Sequence, residues 1–113
     1  MASVGKTSIL ALEALVASKN GPDKALEQGQ VDLIGYIDVS VNDGATTVNG
    51  KIQHSADGSN WIDLISFTAV VNVTGVEQVP ITVPVLPHVR GVATLAGTPS
   101  ATVEIAIYFD RQK

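Results

Sequence analysis

The chain has 113 residues, of which 45% are hydrophobic and 16% charged, with a formal net charge of −4. This length fits one domain that buries a core without staples, and the composition is too apolar for a disordered chain. The absence of cysteine excludes disulfides and thiolate metal sites, and the seven basic residues form no patch or stripe suited to nucleic acid or an anionic membrane.

The start, Met1-Ala2-Ser3-Val4-Gly5-Lys6, lacks the basic region and apolar stretch of a secretory signal. No run of about 18 apolar residues follows, so no transmembrane helix is expected. The chain is therefore expected to be cytosolic at synthesis. Over the first thirty residues, Ile9, Leu12, Leu15 and Val16 fit helical spacing, and Ala, Leu and Glu favour helix. The alternative is a strand over residues 8–17, preferred because the rest of the chain needs sheet partners. Asn20-Gly21-Pro22-Asp23 ends either version.

From residue 31 the period is two. Leu33, Ile37, Val39 and Val41 share one parity, and Asp32, Asp38 and Ser40 the other, as in a strand with one buried face. Asn42-Asp43-Gly44 supplies a turn. Val48, Gly50 and Ile52 alternate with Asn49, Lys51 and Gln53, then Asp57-Gly58 leads into Trp61-Ile62-Asp63-Leu64-Ile65. This predicts a hairpin. Residues 67–73 are a further β-branched run. Val76, Val79, Ile81 and Val83 form another, and Pro80 and Pro84 confine it to an edge or a short length. Residues 89–95 and 102–109 close the chain, joined by Gly97-Thr98-Pro99-Ser100. In the last run Val103, Ile105, Ile107 and Phe109 point one way, and Thr102, Glu104, Ala106, Tyr108 and Asp110 the other.

Short strands at regular spacing predict an all-β fold, an antiparallel β-sandwich of jelly-roll or Ig-like type. Residues 1–30 are expected to be an N-terminal arm or first strand of the same domain, and residues 31–113 its sandwich core.

No residues assemble into a site for chemistry. Gly5-Lys6-Thr7 has the last letters of a phosphate loop but not its first glycine, and no strand precedes it. His54 and His88, without cysteine, make a poor zinc set. Ser55, His54 and Asp57 form a triad only on paper, because adjacent strand residues point to opposite faces. Asp57-Gly58-Ser59-Asn60 offers three oxygen side chains but no bidentate Glu for calcium, so a tight turn is expected. No catalytic, cofactor-binding or metal residue is therefore expected, and no cofactor. Trp61, the only tryptophan, is expected to be a core anchor, its loss costing on the order of 3–5 kcal/mol; a sugar platform is the alternative.

Two segments carry a resemblance. Gly50-Lys51-Ile52-Gln53-His54-Ser55-Ala56-Asp57-Gly58-Ser59-Asn60-Trp61-Ile62-Asp63-Leu64 resembles a pattern common in small structural proteins of tailed bacteriophages: a strand ending in a polar pair, an Asp-Gly turn, then Trp-x-Asp. Leu86-Pro87-His88-Val89-Arg90-Gly91-Val92-Ala93-Thr94-Leu95-Ala96-Gly97-Thr98-Pro99-Ser100 is similar to the family's aromatic-Val-Arg strand and Gly-Thr-Pro turn, with His88 where an aromatic is usual. The order holds over roughly residues 30–110, and the first thirty residues match least. The resemblance implies a virion protein of decoration or cement type, bound to the major capsid protein at the capsid surface and assembled in the host cytoplasm. It also implies a homotrimer, without enzymatic activity and with neither nucleic acid nor membrane as partner. A phage tail or baseplate component and a carbohydrate-binding β-sandwich module are the alternatives. The contact surface is expected to involve the N-terminal arm and the proline-rich segment of residues 80–87.

Overall fold

Alternating apolar and polar residues make strands with one face to bury, and two such sheets bury each other. The computed structural model describes residues 3–15, 17–25, 30–42, 47–71, 73–97 and 101–111. Its strands are β1 (Ser3–Leu15), β2 (Lys19–Asn20), β3 (Lys24–Ala25), β4 (Gln30–Asn42), β5 (Thr47–Ser55), β6 (Ile62–Ser66), β7 (Val70–Val71), β8 (Gly75–Pro80), β9 (His88–Ala96) and β10 (Ala101–Arg111). Sheet A has the order β1-β10-β4-β8. Sheet B has the order β2-β9-β5-β6, with β3 also on β9 and β7 also on β5. Every pairing is antiparallel.

The strand order decides between the two sandwich types. β2 and β3 share the partner β9, and β6 and β7 share β5, so each couple acts as one interrupted strand. Counted so, the first strand pairs with the last, β2/β3 with β9, β4 with β8, and β5 with β6/β7. A long antiparallel ribbon rolled on itself produces those pairs, which is the jelly roll. An Ig-like sandwich sets its first two strands side by side; here β1 and β2 lie in different sheets.

The region with two readings is strand, not helix. β1 runs antiparallel to β10 from Ser3 opposite Arg111 to Leu15 opposite Ala101, with irregularities after Ser8 and Leu10. Those irregularities break strict alternation, so Ile9 and Leu10 are both buried. Of the residues that fit helical spacing, Ile9 and Leu15 are buried, Leu12 is exposed, and Val16 lies outside the described residues. Asn20-Gly21-Pro22-Asp23 does more than end β1. Gly21 N donates to Gly91 O at 2.6 Å, tying the crossing chain to sheet B. A Cβ on Gly21 would lie 1.8 Å from the carbonyl oxygen of Ile9, so no other residue fits there without moving backbone.

The core follows the predicted parities. Val103, Ile105, Ile107 and Phe109 of β10, Ile37 and Val39 of β4, and Val48 and Ile52 of β5 are all buried. Val89 of β9, to which sequence alternation assigned no face, joins them. Val41 departs from the pattern. A register shift leaves Ser40 unopposed between the pairs Val39–Val103 and Val41–Thr102. This bulge turns Val41 to the outer face, where it is 43% exposed. Among the described residues of the 67–73 run, the strand is the two-residue β7. Phe67 leaves the strand, donates its N–H to Gly50 O at 2.9 Å and is buried. β8 lies at the edge of sheet A and ends at Pro80, as the prolines require. The turn residues 43–44 and 98–100 lie outside the described residues; Gly97, which opens the second connection, has φ +91°.

Candidate functional site

The hairpin turn explains the polar residues that suggested chemistry. Ser55 Oγ accepts from the N–H groups of Asp57 and Gly58 and donates to Asp57 Oδ1 at 2.9 Å. Asp57 Oδ1 also accepts from Ser59 N and Asn60 N, and Oδ2 from Asn60 Nδ2. Gly58 supplies the positive φ, +78°. The backbone N–H of Asn60, then that of Ser59, holds the Asp57 carboxyl well below the usual carboxylate range. Ser55 is fully buried beneath this turn. Its hydroxyl and the Asp57 carboxylate are committed to the turn's own groups.

The histidines are not brought together. His54 Nδ1 accepts from Leu86 N at 3.1 Å, whereas His88 Nδ1 lies 3.0 and 3.1 Å from the oxygens of Asp23. Lys6 of the Gly5-Lys6-Thr7 run lies within β1. It pairs with Glu104 at 2.8 Å, and that hydrogen bond raises its pKa. Among the described residues no group of three or more His, Cys, Asp or Glu converges.

The features left are the two outer faces of the sandwich. On sheet A the register places Lys6 beside Tyr108 and Ile34, then Ser8 beside Ala106, Tyr36 and Gln78, then Glu104 beside Asp38 and Val76. Tyr36 and Tyr108 meet edge to face, with centroids 5.3 Å apart. Ala106 points outward directly opposite Tyr36 yet is fully buried, because the two rings flank it. Burial, then the neighbouring Asp38, raises the Tyr36 pKa. A shallow depression of about 380 Å³ is lined by Ile34, Tyr36, Gln78 and Tyr108. Val76, 65% exposed, stands on the edge strand in the row of Asp38 and Glu104. That edge is protected: Pro80 ends it, and Glu77 reaches Thr68 N at 2.7 Å and Thr68 Oγ1 at 3.1 Å.

The outer face of sheet B is polar. Arg90 Nε donates to Gln53 Oε1 at 2.8 Å, and Gln53 Nε2 donates to Asp63 Oδ1 at 2.9 Å. Lys51 Nζ lies 3.1 Å from the same oxygen. The Gln53 hydrogen bond, then Lys51, lowers the Asp63 pKa. The Arg90 guanidinium stands 4.5 Å from the Trp61 ring centroid. Trp61 is therefore not a core anchor. It is half-buried on the outer face with Asp63, because the register shift that leaves Leu64 unopposed puts Asp63 opposite outward Gln53 and Ile65 opposite buried Ile52.

The two segments expected at a contact surface are built into the sandwich. β1 pairs along β10, and in residues 81–87 Ile81 N donates to Leu33 O at 2.9 Å while Ile81 and Val85 pack on the core. Alternation predicted which residues face outward. It carried no signal for the cross-strand partners that join Arg90, Gln53 and Asp63. No protein-family model matches the chain, and no match to it was found among curated proteins.

Proposed function

We propose that this chain is a non-enzymatic virion structural protein that binds and stabilises a phage capsid shell, a decoration or cement protein. The observation that carries the reading is the outer face of sheet A. Tyr36, Tyr108 and Ile34 line a shallow depression on this face together with Gln78, and Val76 stands exposed on the neighbouring edge strand. Exposed apolar patches mark interaction surfaces, and tyrosine is enriched in them. The rolled eight-strand order is one that viral coat domains use, which supports the reading only by analogy. The phage-like segments around Trp61 and Arg90 support it independently of the fold.

In this reading the face of sheet A seats on the major capsid protein at the capsid surface, after assembly in the host cytoplasm. Three copies closing by rotation make the homotrimer. Purified protein is expected to cosediment with expanded heads that lack it and to raise their heat resistance. Tyr36→Glu is expected to abolish both effects while the isolated protein stays folded by circular dichroism. Heads that neither bind nor gain resistance would overturn the proposal, and labelling of tails or baseplates instead would move the protein there. A carbohydrate-binding module is the second reading, favoured by the outer position of Trp61. Its check is a tryptophan-fluorescence titration with glycans.

A further inference from the structure

Among the described residues, Lys6, Lys19 and Lys51 each pair with a carboxylate, whereas Arg90 forms no such pair. Arg90 is nonetheless held. The Trp61 ring supports its guanidinium plane at 4.5 Å, and Gln53 Oε1 takes its Nε–H at 2.8 Å. Gln53 is in turn bonded to Asp63, which Lys51 also contacts. Gln53 thus stands between Arg90 and the nearest carboxylate of this network. The two terminal nitrogens of Arg90 have no acceptor among the described residues.

Ordering a long side chain costs rotamer entropy. Here the stack and the Nε bond have already met that cost, so a ligand gains the fork without reordering it. A planar guanidinium offers two parallel N–H donors that match a carboxylate, which an ammonium cannot do. We propose that the Arg90–Trp61 pair is a binding site for a carboxylate-bearing segment of a partner protein. The Arg90 terminal nitrogens grip an Asp or Glu carboxylate bidentately, and the Trp61 ring takes the apolar stem. A protein segment fits better than an acidic sugar. Arg90 already covers one face of the indole on which a sugar would stack, and a shallow depression on sheet B lies away from that ring, lined by Asn49, Lys51, Ser66, Phe67 and Thr94. The proposal goes beyond the virion reading and stands on the geometry of sheet B alone.

The probe is an acetylated, amidated peptide of alternating Glu and Gly, set against the same peptide with Gln for Glu. The intact chain is followed by NMR at the Arg90 Nε–H and Trp61 indole N–H signals in physiological salt. The Glu peptide is expected to shift both signals saturably and the Gln peptide neither. Arg90→Lys is expected to weaken binding roughly tenfold although it keeps the charge. Trp61→Leu weakens it less, and an otherwise unchanged amide spectrum shows that each variant is folded. No saturable shift, an undiminished affinity in Arg90→Lys, or a response only to oligogalacturonate would each overturn the proposal. If Tyr36→Glu abolishes head binding but leaves the peptide response intact, the two surfaces are separate, so failure of one proposal does not touch the other.

Discussion

The two outer faces of this sandwich share one core and are held together differently. On sheet A the larger part of the stability comes from area: Tyr36 and Tyr108 pack edge to face and hide Ala106, beside a single ion pair, Lys6–Glu104. On sheet B it comes from hydrogen bonds between long side chains, in the sequence Arg90, Gln53, Asp63, Lys51. Buried area is insensitive to salt and to mild acid, whereas exposed charged networks are screened and titrate. One fold thus carries one outer face dominated by apolar packing and another dominated by a polar side-chain network.

The most damaging change is expected where the faces join. Gly21→Ala places a Cβ against the Ile9 carbonyl oxygen, so the crossing from sheet A to sheet B must shift. A loss on the order of 3–5 kcal/mol is expected, read from the urea midpoint. A wild-type midpoint would mean that the two sheets are less tightly joined than this. The comparison itself is sharpened by truncating one ring on each face. Tyr36→Ala is expected to cost about 2 kcal/mol, since it also uncovers Ala106. Trp61→Ala is expected to cost only about 1 kcal/mol, since it removes a half-buried ring and one cation–π contact. Equal losses, or the reverse order, would erase the distinction between the faces.

The smallest effect is in pH. The Asp57 carboxyl titrates below its unfolded value, so its contribution is present at neutral pH and is lost as pH falls below about 4. Asp57→Asn should therefore be less stable than wild type at neutral pH, with the two converging in acid. Urea midpoints at about pH 7 and pH 3 check this. Parallel behaviour would remove the turn from the acid response.

The hairpin shows what was readable locally. Asp57-Gly58 needs only its own neighbours, so Ser55, Asp57 and Asn60 close the turn that the sequence predicts. Trp61 shows the opposite. Size and apolarity pointed inward, but its direction depends on the register shift at Leu64 and on Arg90, 29 positions away, being there to stack on. β1 was ambiguous for a related reason. Ile9, Leu12 and Leu15 fit one helical stripe, and only the irregular pairing against β10 decides that Ile9 and Leu15 are buried while Leu12 is exposed.

By itself, the sequence determined that this is a two-layer β protein and which residues of β5 and β10, and of β4 up to Val39, line the core. Period-two alternation is a property of each strand alone. The jelly-roll order, the outward turn of Val41 at the Ser40 bulge and the meeting of Arg90 with Trp61 were decided by tertiary structure. Each depends on register between strands distant in the chain, and a shift of one residue would exchange the faces.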